Sequence, residues 1–209
     1  MSFNKSTIFA KKQLNNYESV KLARALKRLQ EGNLHFIADK LDGKLQNSSR
    51  RNELVSGQHP SAIILSCSDS RVVPEFAFDT GLGELFVIRV AGNVANISSL
   101  ASIEYAVANL NVKLIIVMGH ESCGAITAAL EDHNGVDEKN FRHLFRYIAP
   151  AVRAVKEKTI NNIVKKNAEL TSLSIYKNSG LIKKQVDNEQ LKIISAYYHL
   201  DSDKVDFFE

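Results

Sequence analysis

Residues 62–71 read Ala-Ile-Ile-Leu-Ser-Cys-Ser-Asp-Ser-Arg, an apolar run followed at once by a cysteine and two charged residues. A short uninterrupted apolar run of this kind is typical of a strand buried on both faces, as in a parallel sheet. With two similar runs, it predicts strands over residues 61–66, 84–90 and 113–119. Leu100–Leu110 has the pattern of a crossover helix. This alternation of strands and helices indicates an α/β fold with a mostly parallel sheet.

The N-terminal part of the chain is helical rather than strand-like in its pattern. Residues 1–16 are polar and weakly patterned, so we interpret them as an arm, and apolar residues at helical spacing predict a helix over 17–41. Residues 42–60 are polar and rich in turn-forming residues, with a short helix predicted near 50–56.

The C-terminal part has a long helical pattern followed by a hairpin. Helices are predicted from Lys139 to about Val186, with a break or a kink at Pro150 and a boundary at Gly180. Strands at 191–200 and 205–208 flank a polar turn. We therefore expect a single α/β domain over 17–209. Its central sheet should have about four parallel strands plus a C-terminal antiparallel strand, and helices should flank it.

Composition excludes several classes of protein. The net charge of +4 is small, and the 27 basic residues are scattered among 23 acidic ones, so nucleic-acid binding is not expected. No apolar run reaches the roughly 18–20 residues of a membrane span, and the N-terminus lacks the apolar core of a signal peptide. Two cysteines do not form a disulfide framework. We expect a cytoplasmic protein that does not bind membranes.

Both cysteines lie where a metal site could form. Cys67 follows the first predicted strand, and His120 and Cys123 follow the third. Because the carboxyl ends of parallel strands meet at one edge of a sheet, these side chains could converge there. Two thiolates and an imidazole are ligands that Zn²⁺ prefers, with a fourth position left for water or a carboxylate. The alternative is that the cysteines are small buried apolar residues.

Asp69 and Arg71 add two charged groups beside the first cysteine. In an extended segment, residues two apart point the same way, so Asp69 could lie near the metal with Arg71 next to it. A guanidinium would keep the carboxylate ionised and fix its orientation. Asp69 could then either accept a hydrogen bond from water on the metal or bind the metal itself. The alternative is a surface ion pair of little consequence.

These motifs, in this order and spacing, resemble those of the β-class carbonic anhydrases. The resemblance rests on Cys67-x-Asp69-x-Arg71 and His120-x-x-Cys123. It covers roughly residues 20–208 and includes Pro74-Glu75, Gly83–Arg89, Gly92-Asn93, Ser102–Val107 and the C-terminal hairpin. It implies one Zn²⁺ per subunit, held by Cys67, His120 and Cys123, with Asp69 and Arg71 as the catalytic dyad. The implied reaction is reversible hydration of CO2 to bicarbonate and a proton by zinc-bound hydroxide.

The resemblance also implies a substrate pocket and an oligomer. The implied pocket residues are Gln58, Phe86, Ala91, Gly92 and Tyr105, and the Gln58 amide is expected to reach across a dimer interface. Phe86 and Tyr105 could instead pack in the core. The chain contains no tryptophan, and Ile64 stands where one subgroup of the family has its inhibitory-site tryptophan. This difference favours the open type, in which water rather than the aspartate binds zinc.

Three questions remain open at the level of sequence. The oligomer could be a homodimer or a homotetramer. A hydrolase of CS2 or COS would use the same metal site and differ in its access tunnel. A zinc-stabilised binding protein without activity would need only the three ligands.

Overall fold

The computed structural model describes the backbone of residues 5–131 and 138–208, and side chains in those ranges from residue 20 onward. The strands are β1 Ala62–Ser66, β2 Leu85–Arg89, β3 Leu114–His120, β4 Lys192–Tyr198 and β5 Val205–Phe208. The helices are α1 Lys5–Ile37, α2 Ser48–Glu53, α3 Pro74–Ala77, α4 Ile97–Asn109, α5 Gly124–Glu131, α6 Lys139–Ala154, α7 Ile160–Asn178 and α8 Gly180–Asp187. Short 3₁₀ turns cover Leu54–Ser56 and Ala91–Asn93.

The five strands form one sheet in the order β2-β1-β3-β4-β5. The first four are parallel, and β5 pairs antiparallel with β4 as the second strand of the terminal hairpin. The predicted fold is confirmed. From β1 the chain first moves outward to β2 and then returns to the other side of β1 to form β3. The carboxyl ends of β1 and β3 therefore lie side by side at a topological switch point, where α/β proteins bind ligands.

Alternate residues of the central strands pack against helices on opposite faces of the sheet. Ile64 and Ile116 face a cluster that includes Ala25 and Leu29 of α1. Ile63 and Ile115 face a second cluster built with α4, α7 and α8. A third cluster, formed with α5, α6 and α7, covers the carboxyl ends of the strands and contains both cysteines. Burial on both faces explains why the strand sequences are continuously apolar.

The buried side chain of Asn33 is one of the groups that hold helix α1 against the domain. Asn33 donates from Nδ2 to the carbonyls of Ala77 (3.1 Å) and Asp203 (2.8 Å), and its Oδ1 accepts from the Val205 amide (2.8 Å). These bonds join α1 to α3 and to the terminal hairpin. Across residues 5–131 and 138–208, no helix combines the length and the hydropathy needed to cross a membrane.

Several predicted element boundaries were wrong. Helix α1 begins at Lys5 and ends at Ile37, so it runs across residue 16; the domain boundary there stays a prediction. Pro150 does not end a helix, because α6 continues through it to Ala154. Burial of Ile148 and Ala151 against α7 offsets the hydrogen bond that the proline cannot make. The break comes instead before Thr159, whose side chain caps α7 by accepting from the Asn162 amide. Gly180 does mark a boundary, as predicted.

Candidate metal centre

The residues after β1 and β3 form one compact cluster. Cys67 directly follows β1, His120 is the last residue of β3, and Cys123 precedes the first residue of α5. The Cys123 carbonyl accepts from the amides of Ile126 and Thr127, which starts the helix at that point. The turn between β3 and α5 is tight, with Ser122 at a positive φ of 52°. It therefore brings His120 and Cys123, three residues apart, to the same site.

The three side chains converge as the sequence predicts. Potential ligand atoms of Cys67, His120 and Cys123 all lie within 4.8 Å of one another. The two Sγ atoms are 3.9 Å apart, and each of the three residues is at most 4% exposed. The Gly92 amide donates to Cys67 Sγ at 3.4 Å. Gly92 has a φ of 67°, and a Cβ there would lie 3.1 Å from Ile148 Cδ1, so glycine suits this close approach.

His120 presents an unpaired nitrogen to the cluster. Its Nδ1 lies 2.8 Å from the Glu121 carbonyl, which can only accept, so Nδ1 carries the proton. Nε2 is then a lone-pair acceptor, and it is buried with no hydrogen-bond partner among the residues that the structure describes. A buried polar atom without a partner is costly unless a ligand occupies its free side. An imidazole oriented by a carbonyl and placed beside two thiols fits Zn²⁺.

The two thiols influence each other's ionisation. A hydrogen bond from the Cys123 thiol lowers the pKa of Cys67 to about 4, and the hydrogen bond from the Gly92 amide acts in the same direction. The same hydrogen bond, together with burial, raises the pKa of Cys123 well above its ordinary range. Without a cation the pair therefore holds one negative charge. A divalent cation would favour the loss of the second proton.

Asp69 and Arg71 form a paired contact beside the cluster. Arg71 donates from Nε to Asp69 Oδ1 (2.9 Å) and from Nη2 to Oδ2 (2.7 Å), and its backbone amide also donates to Oδ1 (3.0 Å). The Arg71 hydrogen bonds hold the pKa of the Asp69 carboxyl well below its usual range. Asp69 Oδ2 lies 3.8 Å from His120 Nε2. The carboxylate is thus close to the cluster and fixed in orientation.

Two of the predicted pocket residues lie at the metal cluster. Gly92 contacts Cys67 through its amide. Ala91 lines an apolar cavity of about 530 Å³ together with Phe141 and Phe145 of α6. The lining does not include the three cluster residues, so Ala91 is linked to the cluster through its neighbour Gly92.

Gln58, Phe86 and Tyr105 are not at the metal cluster of their own chain. Gln58 is exposed near the amino end of β1, whereas the cluster lies at the carboxyl end. Phe86 pairs with Ile63, four residues before Cys67, and is therefore about 13 Å away along the strand. Its ring contacts that of Tyr105, which is 51% exposed, at 6.4 Å between centroids.

Two sets of contacts had no signal in the sequence, one at the metal cluster and one in a separate group of side chains. The Glu121 carbonyl fixes the proton on His120, and a carbonyl is the same in every residue type. His199, for which the sequence offered no partner, bonds Asp206 through Nε2 at 2.8 Å and lies in a cluster with Glu121 and Asp201. The partners come from β5 and from the end of β3, so only the folded chain reveals them.

Comparisons with known proteins agree on one family. The family model described as carbonic anhydrase matches residues 62–205. Carbonic anhydrase 2 of Mycobacterium tuberculosis is 37% identical over 182 residues, covering 85% of this chain and 88% of the relative. A carbonic anhydrase of Mycolicibacterium smegmatis is 34% identical, covering 87% and 91%. The solved β-carbonic anhydrase CcaA is 29% identical, with a TM-score of 0.68, covering 88% of this chain and 95% of that one.

Proposed function

Because this chain belongs to the β-class carbonic anhydrase family and is a carbonate dehydratase, we propose that it hydrates CO2 reversibly with one zinc ion per subunit and an aspartate–arginine dyad. The observation that carries the proposal is the buried Nε2 of His120, which lies beside two thiols and has no hydrogen-bond partner in the described part of the chain. The carbonic anhydrase names of the matching relatives favour CO2 over CS2 or COS as the substrate.

Cys67, His120 and Cys123 would hold the zinc ion. Three protein ligands leave one position open, which is the arrangement of catalytic rather than structural zinc sites. When bound, zinc supplies Lewis-acid activation of water, so that hydroxide is available near neutral pH. The burial of all three ligands excludes bulk water from their side of the site.

Asp69 would orient the reacting solvent molecule. An ionised carboxylate can only accept hydrogen bonds, and Arg71 keeps Asp69 ionised by donating to both of its oxygens. Asp69 would therefore accept a hydrogen bond from the O–H of the solvent molecule. This bond would orient the solvent oxygen so that one of its lone pairs points toward CO2. The engagement of both oxygens by Arg71 supports the open type of site, in which Asp69 does not itself bind the metal.

CO2 is small and apolar and needs a dry surface rather than polar recognition. The cavity lined by Ala91, whose neighbour Gly92 contacts Cys67, would offer such a surface. Gln58, Phe86 and Tyr105 would complete the pocket from a second copy of the chain. The 85% exposure of Val55 and Ile97, near Gln58 and Tyr105 in sequence, supports burial of this region in a homodimer or homotetramer.

The test is a stopped-flow assay of CO2 hydration at pH 8.5 with zinc-loaded and zinc-depleted protein. We expect turnover that depends on stoichiometric zinc and that exceeds any rate measured with CS2. Zinc-loaded protein that is inactive at this pH would contradict the proposal, as would protein that binds no zinc. Asp69→Asn separates an enzyme from a zinc-stabilised binding protein, because only the enzyme depends on that carboxylate.

A further inference from the structure

Arg89 contacts the backbone of the segment that carries Cys67 and Asp69. It is the last residue of β2 and pairs with Ser66, the last residue of β1. Its side chain donates from Nε to the Cys67 carbonyl (3.1 Å) and from Nη2 to the Asp69 carbonyl (2.6 Å). One guanidinium thus spans the segment between the two residues.

The segment after Ser66 needs such support. It has left the sheet, so strand pairing no longer fixes its carbonyls. Residues two apart in an extended segment direct their carbonyls the same way, and a guanidinium offers two parallel donors in a rigid plane. The Asp69 carbonyl also accepts from the Val72 amide at 3.1 Å. The Asp69 carbonyl therefore accepts two hydrogen bonds, one from within the turn and one from Arg89 on the neighbouring strand.

We propose that Arg89 is a positioning residue for CO2 hydration, acting through the backbone of Asp69; this inference rests on the proposed function. Arg71 holds the Asp69 carboxylate at its oxygens, and Arg89 holds the same residue at its carbonyl. With both ends fixed, the carboxylate keeps one direction toward the metal cluster. Loss of Arg89 would leave the Asp69–Arg71 pair intact but held only by the Val72 amide within the turn and by the longer contact from Arg71 Nη2 to the Ser122 carbonyl (3.4 Å).

Loss of Arg89 should disturb the position of Asp69 much more than the positions of the three metal ligands. Cys67 Sγ has its own hydrogen bond from the Gly92 amide. His120 and Cys123 belong to β3 and the turn before α5, which Arg89 does not contact in the described hydrogen bonds. We therefore expect a loss of activity that is larger than the loss of zinc affinity.

The chain offers a matched control in Arg28. This residue makes the same kind of two-carbonyl contact, donating from Nη1 to the Phe78 carbonyl (3.3 Å) and from Nη2 to the Asp79 carbonyl. Phe78 and Asp79 follow α3 and are not part of the metal cluster. Arg28→Met thus removes a comparable clamp without touching the site.

The experiment compares Arg89→Met, Arg89→Lys and Arg28→Met, with Arg89→Met also made in an Asp69→Asn background. Measurements are kcat/KM for CO2 hydration, zinc affinity by chelator competition, and thermal unfolding. We expect Arg89→Met to lower kcat/KM about 10- to 100-fold, the usual effect of losing a residue that orients a ligand-bearing segment. Zinc affinity should fall less than about tenfold, and Arg89→Lys should recover activity only in part, because an ammonium has no planar pair of donors.

In the Asp69→Asn background, Arg89→Met should cause little further loss, because the group through which it acts is already gone. Arg28→Met should leave kcat/KM unchanged, whatever it does to unfolding. Arg89→Met with activity within twofold of the unmodified enzyme would overturn the inference. Full recovery by Arg89→Lys, or an undiminished effect of Arg89→Met in the Asp69→Asn background, would overturn it too. An unmodified chain that is inactive with zinc would instead refute the proposed function.

Discussion

The Asp69→Asn substitution keeps the size of the side chain but replaces one acceptor oxygen with an NH2 donor. In the structure, Arg71 donates to both carboxylate oxygens, at 2.9 and 2.7 Å. An amide can accept only one of these bonds, and its NH2 must then face either the guanidinium or the metal cluster. In the first orientation two donors oppose each other and the contact with Arg71 that fixes the side chain is weakened; in the second a donor replaces the acceptor that would fix the direction of the reacting solvent molecule.

Asp69→Asn should lower the rate of CO2 hydration far more than it lowers the stability of the fold. A positioned proton acceptor contributes about 10²- to 10⁴-fold to rate, which corresponds to about 3–5 kcal/mol of transition-state stabilisation. The stability cost should be small, because the Arg71 side chain is 53% exposed and solvent screens the pair. Zinc binding should persist, because the three ligands are unchanged.

The assay measures kcat/KM by stopped flow at pH 8.5, the zinc content by elemental analysis and the unfolding temperature by calorimetry. We expect Asp69→Asn to retain one zinc per chain and an unfolding temperature close to that of the unmodified protein, with turnover at least about 100-fold lower. Activity within fivefold of the unmodified protein would refute the role assigned to the carboxylate. Loss of zinc would mean that Asp69 binds the metal.

Three other predictions concern the metal and the assembly. The pKa of Cys67 is lowered to about 4 and that of Cys123 is raised, so only the Cys123 thiol still carries a proton to lose when zinc binds. Calorimetry should therefore detect about one proton released per zinc, and the affinity for zinc should rise about tenfold per pH unit between pH 6 and 8. Gly92→Ala should lower the free energy of unfolding in urea by about 1–3 kcal/mol, because Gly92 has a positive φ. Gly180→Ala is the control and should not lower it, because a Cβ at Gly180 would meet no atom within 4 Å. Tyr105→Glu should shift sedimentation toward monomer and abolish activity; an active monomer would contradict the shared pocket.

Much of the fold was predictable because the signals that specify it are local. The runs Ala62–Leu65 and Leu114–Met118 are apolar throughout, and strands buried on both faces require this pattern. The resulting parallel order places Cys67 beside His120 and Cys123. Local signals failed where packing competes with propensity. Pro150 was expected to break or kink a helix, and it does not break one, because the burial of its neighbours in the third cluster keeps α6 continuous.

The amino-acid sequence by itself determined the α/β class, the strands and the residue types that meet at their carboxyl ends, because apolar periodicity and side-chain chemistry are properties of short segments. Only the tertiary structure decided which nitrogen of His120 is free and which groups hold Asp69 in place. Those choices are made by the Glu121 carbonyl and by Arg89 from the neighbouring strand. Backbone groups carry no sequence signature, and contacts between strands exist only once the chain has folded.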